Sequence, residues 1–252
     1  ARARDVLASG RAELHEYDLR GDLDLIWGSV SGCEGLARIL IEPLAAEAPW
    51  LTELEGRIAA RRAAFLTTVF DRSPPDIGRH HWSEESPGNL PGETLVEPIL
   101  PPIALWIFGA GSEAVPLLAL AEVLGWPVGI LDHRPAYARA GRYPGAVTVR
   151  SGHPRQVIPE LPLDSRSACL LLSHTFQKDV EALEALLPSA VGYLGVMGHP
   201  ERSRNLLRAL AERGCRPTPT QLARLYTPVG LDLGSPSPEG MALAIVAEIQ
   251  AH

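Results

Sequence analysis

Short apolar runs alternate with segments of helical periodicity from residue 103 to the end of the chain. Apolar runs of strand length predict strands at 104–108, 128–131, 146–149, 169–173 and 191–196. Apolar positions three and four residues apart predict helices at 113–124, 178–187, 203–213 and 238–250. Such alternation is typical of a parallel sheet with crossover helices, so we predict a Rossmann-like α/β domain over residues 103–252.

The N-terminal part of the chain has a more mixed pattern. We predict strands at 13–19 and 23–27, where polar and apolar residues alternate, at the β-branched run 39–41 and at the apolar run 65–70. Helical spacing predicts a helix over 50–64. Together these elements predict a smaller α+β domain at residues 1–70. Proline interrupts both kinds of periodicity seven times between 71 and 102, so this stretch is predicted to be an interdomain linker.

Composition and charge narrow the function classes. The 252 residues are 46% hydrophobic and 21% charged, which is ordinary for a globular protein. A net charge of -7 argues against a nucleic-acid or anionic-membrane surface, and Glu113, Glu122 and Pro127 interrupt the most apolar window, so no membrane span is expected. Three widely spaced cysteines and a start without an apolar signal segment favour a cytoplasmic protein.

A glycine-rich loop follows the strand at 104–108. Residues 109–114 have the form G-x-G-x-x-A, in which Gly109 permits a tight turn and Gly111 lets the backbone approach a pyrophosphate at a helix N-terminus. Asp132 lies 21 residues after Gly111 at the end of the next strand, where it is expected to accept a ribose hydroxyl. Arg134 follows as either a phosphate- or pterin-binding cation or a solvated turn residue. A plain strand-to-helix turn is the alternative for the whole loop.

Two further residues carry candidate chemistry. Cys33 lies in a Gly-Cys-Glu-Gly turn, where a thiolate can face a soft metal or a persulfide donor, although a free cysteine is more often a buried apolar residue. His174 ends a predicted central strand, which is where open α/β sheets bind ligands, and a histidine satisfied by backbone is the alternative. Asp179 is expected to compensate a helix dipole, and His80 and His81 are expected to be solvated.

The ordered motifs of the chain resemble the XdhC/CoxI family of molybdenum-enzyme maturation factors. They are Phe-Gly-Ala-Gly at 108–111, Leu-Gly-Trp at 124–126, Asp-His-Arg-Pro at 132–135, Ser-His at 173–174, Gly-Tyr-Leu-Gly-Val-Met-Gly at 192–198, Pro-Val-Gly-Leu-Asp-Leu-Gly at 228–234 and the Cys33 turn. After Gly198 the chain departs from the family pattern with His199-Pro200.

This resemblance implies a non-catalytic chaperone that binds molybdenum cofactor, as molybdopterin or its dinucleotide form. It implies help with cofactor sulfuration by a cysteine desulfurase, delivery to a xanthine-dehydrogenase- or CO-dehydrogenase-type apoenzyme, and a homodimer. The implied site has Cys33 as a metal- or persulfide-facing thiol and molybdenum ligand, together with His174 as the second catalytic residue. The implied cofactor-binding residues are Gly109, Gly111, Ser112, Asp132, Arg134 and Gly198.

Two other functions fit the same residues. An NAD(P)-dependent oxidoreductase would use the glycine loop and Asp132, but the chain has no Tyr-x-x-x-Lys pair, so His174 would have to transfer the proton. A structural adaptor without a ligand is the other alternative, because Glu113 and His199-Pro200 disturb the expected phosphate contacts.

Overall fold

Helices and antiparallel strands form the first part of the chain. A computed structural model describes residues 2–18, 35–45, 47–71, 77–90, 92–234 and 236–252, and the chain divides into the units Ala1–Pro101 and Pro102–His252. The elements of the first unit are α1 (Arg2–Ser9), β1 (Glu13–Asp18), β2 (Leu36–Ile41), α2 (Pro49–Ala59), β3 (Ala64–Val69), β4 (His80–Ser83) and β5 (Thr94–Ile99). Strand β1 pairs with β2, and β3 lies between β4 and β5. The smaller α+β part is therefore confirmed, while the predicted strand at 23–27 lies outside the described residues.

The prediction of a linker at 71–102 is corrected. Strands β4 and β5 lie within this stretch and both pair antiparallel with β3, so the first unit continues to Pro101 instead of ending at residue 70. Pro98 does not prevent the pairing of β5, because β5 is an edge strand of the described sheet. A proline on an edge strand can turn its missing N–H away from the paired neighbour.

The expectation that His80 is solvated is also wrong. Its side chain is 8% exposed, with Nε2 2.9 Å from Glu42 Oε2 and Nδ1 3.1 Å from Thr68 Oγ1, and its ring packs on Trp50. His80 pairs directly with Thr68 across β3 and β4, which places both side chains on the same face of the sheet. His81 points to the opposite face and is exposed.

The second unit is built on a six-stranded parallel sheet. Its strands are β6 (Ala104–Phe108), β7 (Val128–Asp132), β8 (Thr148–Ser151), β9 (Ser167–Leu171), β10 (Tyr193–Val196) and β11 (Leu225–Tyr226). Its helices are α3 (Ala114–Val123), α4 (Pro154–Val157), α5 (Phe176–Leu186), α6 (Pro200–Glu212), α7 (Pro219–Leu222) and α8 (Pro238–Gln250). The strand order is β11-β10-β9-β6-β7-β8, with every pair parallel, which confirms the predicted Rossmann-like fold.

A hydrophobic core covers each face of this sheet. Helices α3 and α8 pack on one face, with Leu117 and Ile245 fully buried, and α4, α5 and α6 pack on the other, with Leu183 and Leu210 buried. Because both faces are covered, β6 is buried along its whole length and needs the continuous apolar run that the sequence provides.

The last helix starts as its sequence predicts. The Ser237 hydroxyl accepts the Gly240 N–H at 3.1 Å, and Pro238 occupies the first turn, where its missing N–H costs nothing. Among the residues that the structure describes, no helix combines the length and the apolar character needed to cross a bilayer.

Candidate functional site

The order of the strands creates a crevice at the carboxyl end of the sheet. The chain runs from β6 outward through β7 to β8, then returns to β9 on the other side of β6, so the loops after β6 and β9 separate there. Open α/β sheets bind ligands at such a switch point. Gly109 and His174 lie on these two loops, so the structure brings two of the predicted site residues to one place.

Gly109 is required by the contact between the two loops. Its φ is +123°, and an added Cβ would lie 2.4 Å from the carbonyl carbon and oxygen of Leu172 and 2.6 Å from the Ser173 nitrogen. The first glycine of the motif therefore allows the turn, as predicted, and also lets the backbone of β6 pass directly against the end of β9.

Asp132 holds the glycine loop in place. Its Oδ2 accepts the Ala110 N–H at 2.9 Å, and the Tyr143 hydroxyl donates to the Ala110 carbonyl at 2.8 Å, so both polar backbone groups of Ala110 are fixed. Arg134 donates to Asp132 from its backbone N–H at 2.8 Å and from its guanidinium at 2.9 and 2.8 Å. This hydrogen-bond network therefore preorganises the loop. The part that Tyr143 takes in it was not predicted from the sequence.

The ribose contact predicted for Asp132 stays a prediction, and in this structure the carboxylate is already bonded within the chain. Each carboxylate oxygen already accepts two hydrogen bonds, which uses the acceptor capacity of an ionised carboxylate, and the side chain is fully buried. Burial by itself raises the pKa of Asp132, but the hydrogen bonds from Arg134 and Ala110 outweigh it and hold the pKa below its ordinary value. In this structure Asp132 thus fixes the glycine loop beside the cleft that it helps to line.

Glu113 and His174 face each other across the crevice. Glu113 Oε1 lies 3.6 Å from His174 Nε2, which is an ion-pair distance too long for a hydrogen bond. His174 has φ of +55°, which is unusual for a residue other than glycine, and its side chain is 63% exposed. In the described chain the N–H groups of Gly111 and Ser112 make no hydrogen bond, so the crevice offers free donors beside an acidic group.

A buried carboxylate supports the loop after β9. Asp179 accepts the Ser173 hydroxyl at 2.5 Å and the Arg202 guanidinium at 2.7 Å. Burial raises the pKa of Asp179 even though both partners favour the charged form. Arg202 also lies against Gly198, where an added Cβ would be 2.8 Å from Cδ. Gly198 therefore makes room for this arginine, and Asp179 links β9 to α6 in addition to lying in the first turn of α5.

Lys178 lines the cleft but was not among the predicted site residues. It is the single lysine among 23 basic residues, and it lines the cleft beside Gly109 and Asp132. Its Nζ lies 2.7 Å from His153 Nε2 and 3.1 Å from Glu181 Oε2. The rarity of lysine was the available signal, but only the fold places this residue at the crevice.

The cysteines have different outcomes. Cys33 lies outside the described residues, so its role stays a prediction. Cys169 is fully buried in β9, and burial raises the pKa of its thiol, as expected for a core residue. Cys215 is partly buried and packs against the core beside α6. No group of three or more metal-binding side chains occurs within the described ranges.

Comparison with known proteins agrees with the Rossmann-like fold of the second unit. The model of the XdhC Rossmann domain matches residues 105–249. The chain is 28% identical over 253 aligned positions to a protein of Bacillus subtilis (strain 168) described as a probable xanthine dehydrogenase subunit, covering 92% of this chain and 74% of that protein. It is 28% identical over 145 residues to the uncharacterized protein YqeB of Escherichia coli (strain K12), covering 58% of this chain and 26% of YqeB.

A solved structure extends the likeness to the whole fold. The crystal structure of a xanthine dehydrogenase from Bacillus halodurans superposes with a TM-score of 0.80 at 26% identity, and the match covers 99% of this chain and 77% of that chain. More than half of the present chain thus matches the family model, and the described crevice lies within the matched range. The chain belongs to the XdhC family, whose Rossmann domain it carries at residues 105–249.

Proposed function

We propose that this protein is an accessory protein of a xanthine-dehydrogenase- or CO-dehydrogenase-type molybdoenzyme and binds molybdenum cofactor as its cargo. The observation that carries the proposal is the crevice, where a rigidly held glycine loop presents unused donors and an unused carboxylate. The relatives from Bacillus subtilis and Bacillus halodurans, both named after xanthine dehydrogenase, support this class of partner.

The chemistry of the residues fits a cargo with phosphate and pterin groups. Arg134 uses its backbone N–H, Nε and Nη2 to bind Asp132, and its 38% exposed side chain has Nη1 left to donate to a phosphate or a carbonyl. Lys178 adds a second cation in the cleft. These groups favour molybdopterin or its dinucleotide form over a purely apolar ligand.

We assign the metal end of the cargo to Cys33. A thiolate between glycines suits a soft metal such as molybdenum, and a cysteine desulfurase would supply the sulfur that the client enzyme requires. A homodimer and a cytoplasmic location complete the proposal; both rest on the family resemblance and on the cysteine content.

An NAD(P)-dependent oxidoreductase is disfavoured by the same geometry. The Asp132 carboxylate, which should accept the ribose hydroxyls, is fully used inside the protein, and Glu113 puts a negative charge beside the expected diphosphate position. We therefore expect no saturable binding of NAD(H).

Cofactor retention tests the proposed function. The protein is mixed without oxygen with purified molybdopterin cofactor, and separately with NAD(H), and then passed through gel filtration with pterin fluorescence and metal content as readouts. We expect pterin to co-elute near one equivalent per chain while NAD(H) does not. Co-elution of NAD(H) alone would overturn the proposal.

The variant Cys33→Ala tests the thiol. Loss of a metal-ligand bond is expected to lower cofactor retention at least about 10-fold and to abolish activation of the apoenzyme, with an unchanged circular dichroism spectrum. The matched control is Cys215→Ala, which removes a thiol packed beside α6 and is expected to leave retention unchanged. Equal retention and activation in Cys33→Ala would remove Cys33 from the mechanism.

A further inference from the structure

The carboxylate of Glu113 is partly buried and has no hydrogen-bond donor among the described residues. Its side chain is 16% exposed, it does not cap α3, and within the ranges that the structure describes neither of its oxygens receives a hydrogen bond. The recorded contact is His174 Nε2, 3.6 Å from Oε1. These two oxygens are therefore available to accept hydrogen bonds from a ligand.

The position of this carboxylate also decides which ligand group the loop can take. Oε2 lies 2.6 Å from the place where a Cβ on Gly111 would be, so the negative charge lies beside Gly111, whose N–H makes no hydrogen bond in the described chain. A phosphate placed on the N–H groups of the loop would meet a like charge at short range, which disfavours the usual diphosphate mode of a glycine loop. A bare cation would satisfy Glu113 but would leave the N–H donors without an acceptor.

A ligand edge with donors next to an acceptor matches both features. A 2-amino-4-oxopyrimidine ring presents an amino group and a ring N–H side by side, followed directly by a carbonyl oxygen. A carboxylate can accept the two donors in parallel, as it does from a guanidinium, and a backbone N–H can donate to the carbonyl. Pterins and guanine share this edge, whereas adenine and nicotinamide do not.

We propose that Glu113 is the specificity-determining residue of the crevice and binds the 2-amino-4-oxopyrimidine edge of a pterin, with the N–H groups of Gly111 and Ser112 directed to its carbonyl. This inference rests on the proposed function, because it identifies which part of the molybdenum cofactor the glycine loop holds. His174 lies on the opposite side of the crevice and makes no hydrogen bond to the Glu113 carboxylate, because its Nε2 is 3.6 Å from Oε1. The phosphate of the cargo then binds apart from Glu113, with Arg134 and Lys178 as the available cations.

Two fluorescent pteridines test the recognised edge. The wild-type protein and Glu113→Gln are titrated with 6-hydroxymethylpterin and with 6-hydroxymethyllumazine, which has an oxygen in place of the amino group. An amide places its own N–H2 against the amino group of a pterin but can donate to the oxygen that replaces it in lumazine, so Glu113→Gln is expected to weaken pterin binding at least about 10-fold and to strengthen lumazine binding. The matched control is Glu122→Gln on the exposed side of the same helix, with no expected change.

The outcomes separate this inference from the proposed function. Retention of molybdopterin cofactor by gel filtration is measured on the same variants, and it is expected to fall in Glu113→Gln as pterin binding does. If the wild type retains the cofactor and Glu113→Gln retains it equally, the assignment of Glu113 is overturned while the proposed function stands. If the wild type does not retain the cofactor, the proposed function fails. Tighter binding of GMP than of the pterin would assign the edge to a guanine nucleotide and overturn the pterin assignment.

Discussion

Replacing Gly109 with alanine is expected to cause the largest loss of stability of any single change at the crevice. The new Cβ would lie 2.4 Å from the Leu172 carbonyl group, and φ of +123° is unfavourable for any residue with a side chain. The backbone of Leu172 and Ser173 cannot move aside as a flexible side chain would, so the free energy of unfolding of the second unit should fall by about 4 kcal/mol.

Urea unfolding measures this effect, with hydrogen exchange of peptides from β6 and β9 to identify the second unit. The control is Gly141→Ala, because a Cβ there meets no atom within 4 Å and the backbone is not left-handed. If Gly109→Ala and Gly141→Ala shift the midpoint equally, the close passage of β6 against the end of β9 is not what stabilises the crevice.

Replacing Asp132 with asparagine is expected to have the second-largest effect. An asparagine amide has one accepting oxygen and one donating N–H2 group. The N–H2 group would therefore face an N–H donor of Ala110 or Arg134 in place of a carboxylate oxygen. We expect the free energy of unfolding to fall by about 2 to 3 kcal/mol at pH 7. This value is set below that of a fully buried ion pair because the Arg134 side chain is partly exposed. Urea midpoints give the difference, and Asp232→Asn, on an exposed segment before α8, is the control.

The pH dependence of this difference has a definite sign. The folded-state pKa of Asp132 lies below that of the unfolded chain, so its contribution is present above the unfolded pKa and is lost as the pH falls through the folded pKa. The stability advantage of wild type over Asp132→Asn should therefore persist at pH 5 and shrink on acidification below about 4. A constant advantage down to about pH 2 would contradict the charged network.

Asp179 acts in the opposite direction. Burial raises its folded-state pKa, so its stabilising contribution is present below the unfolded pKa and is lost as the pH rises through the folded pKa. Subtracting the two pH profiles removes this effect, because Asp179 is the same in wild type and Asp132→Asn. The comparison therefore isolates the carboxylate that holds the glycine loop.

The interpretation of the chain as an adaptor without a ligand now rests on one residue. His199 and Pro200 start α6, where the His199 ring accepts the Glu201 N–H at 3.4 Å, so this departure from the family pattern has a local structural role. Glu113 remains, and under the present proposals it selects a ligand instead of excluding every ligand. An adaptor would bind neither the pterin nor the intact cofactor.

The sequence by itself determined the parallel-sheet fold and the place of the glycine loop. Continuous apolar runs such as 104–108 are needed only where both faces of a sheet are covered, and Gly109 and Gly111 mark the turn that follows. Helix starts were equally local, as Ser237 and Pro238 show. These features depend on neighbours within a few residues, so the pattern along the chain contains the necessary information.

Tertiary structure alone decided how the polar side chains are used. Asp132 has the spacing of a ribose-binding acid, but Arg134 and Ala110 consume its oxygens, and Glu113 is left without donors because His174 stays 3.6 Å away. Pro98 suggested a linker, but it lies opposite Phe65 in the pairing of β5 with β3. Hydrogen-bond partners of this kind are brought together by the packing of distant elements, and residue type and spacing do not specify them.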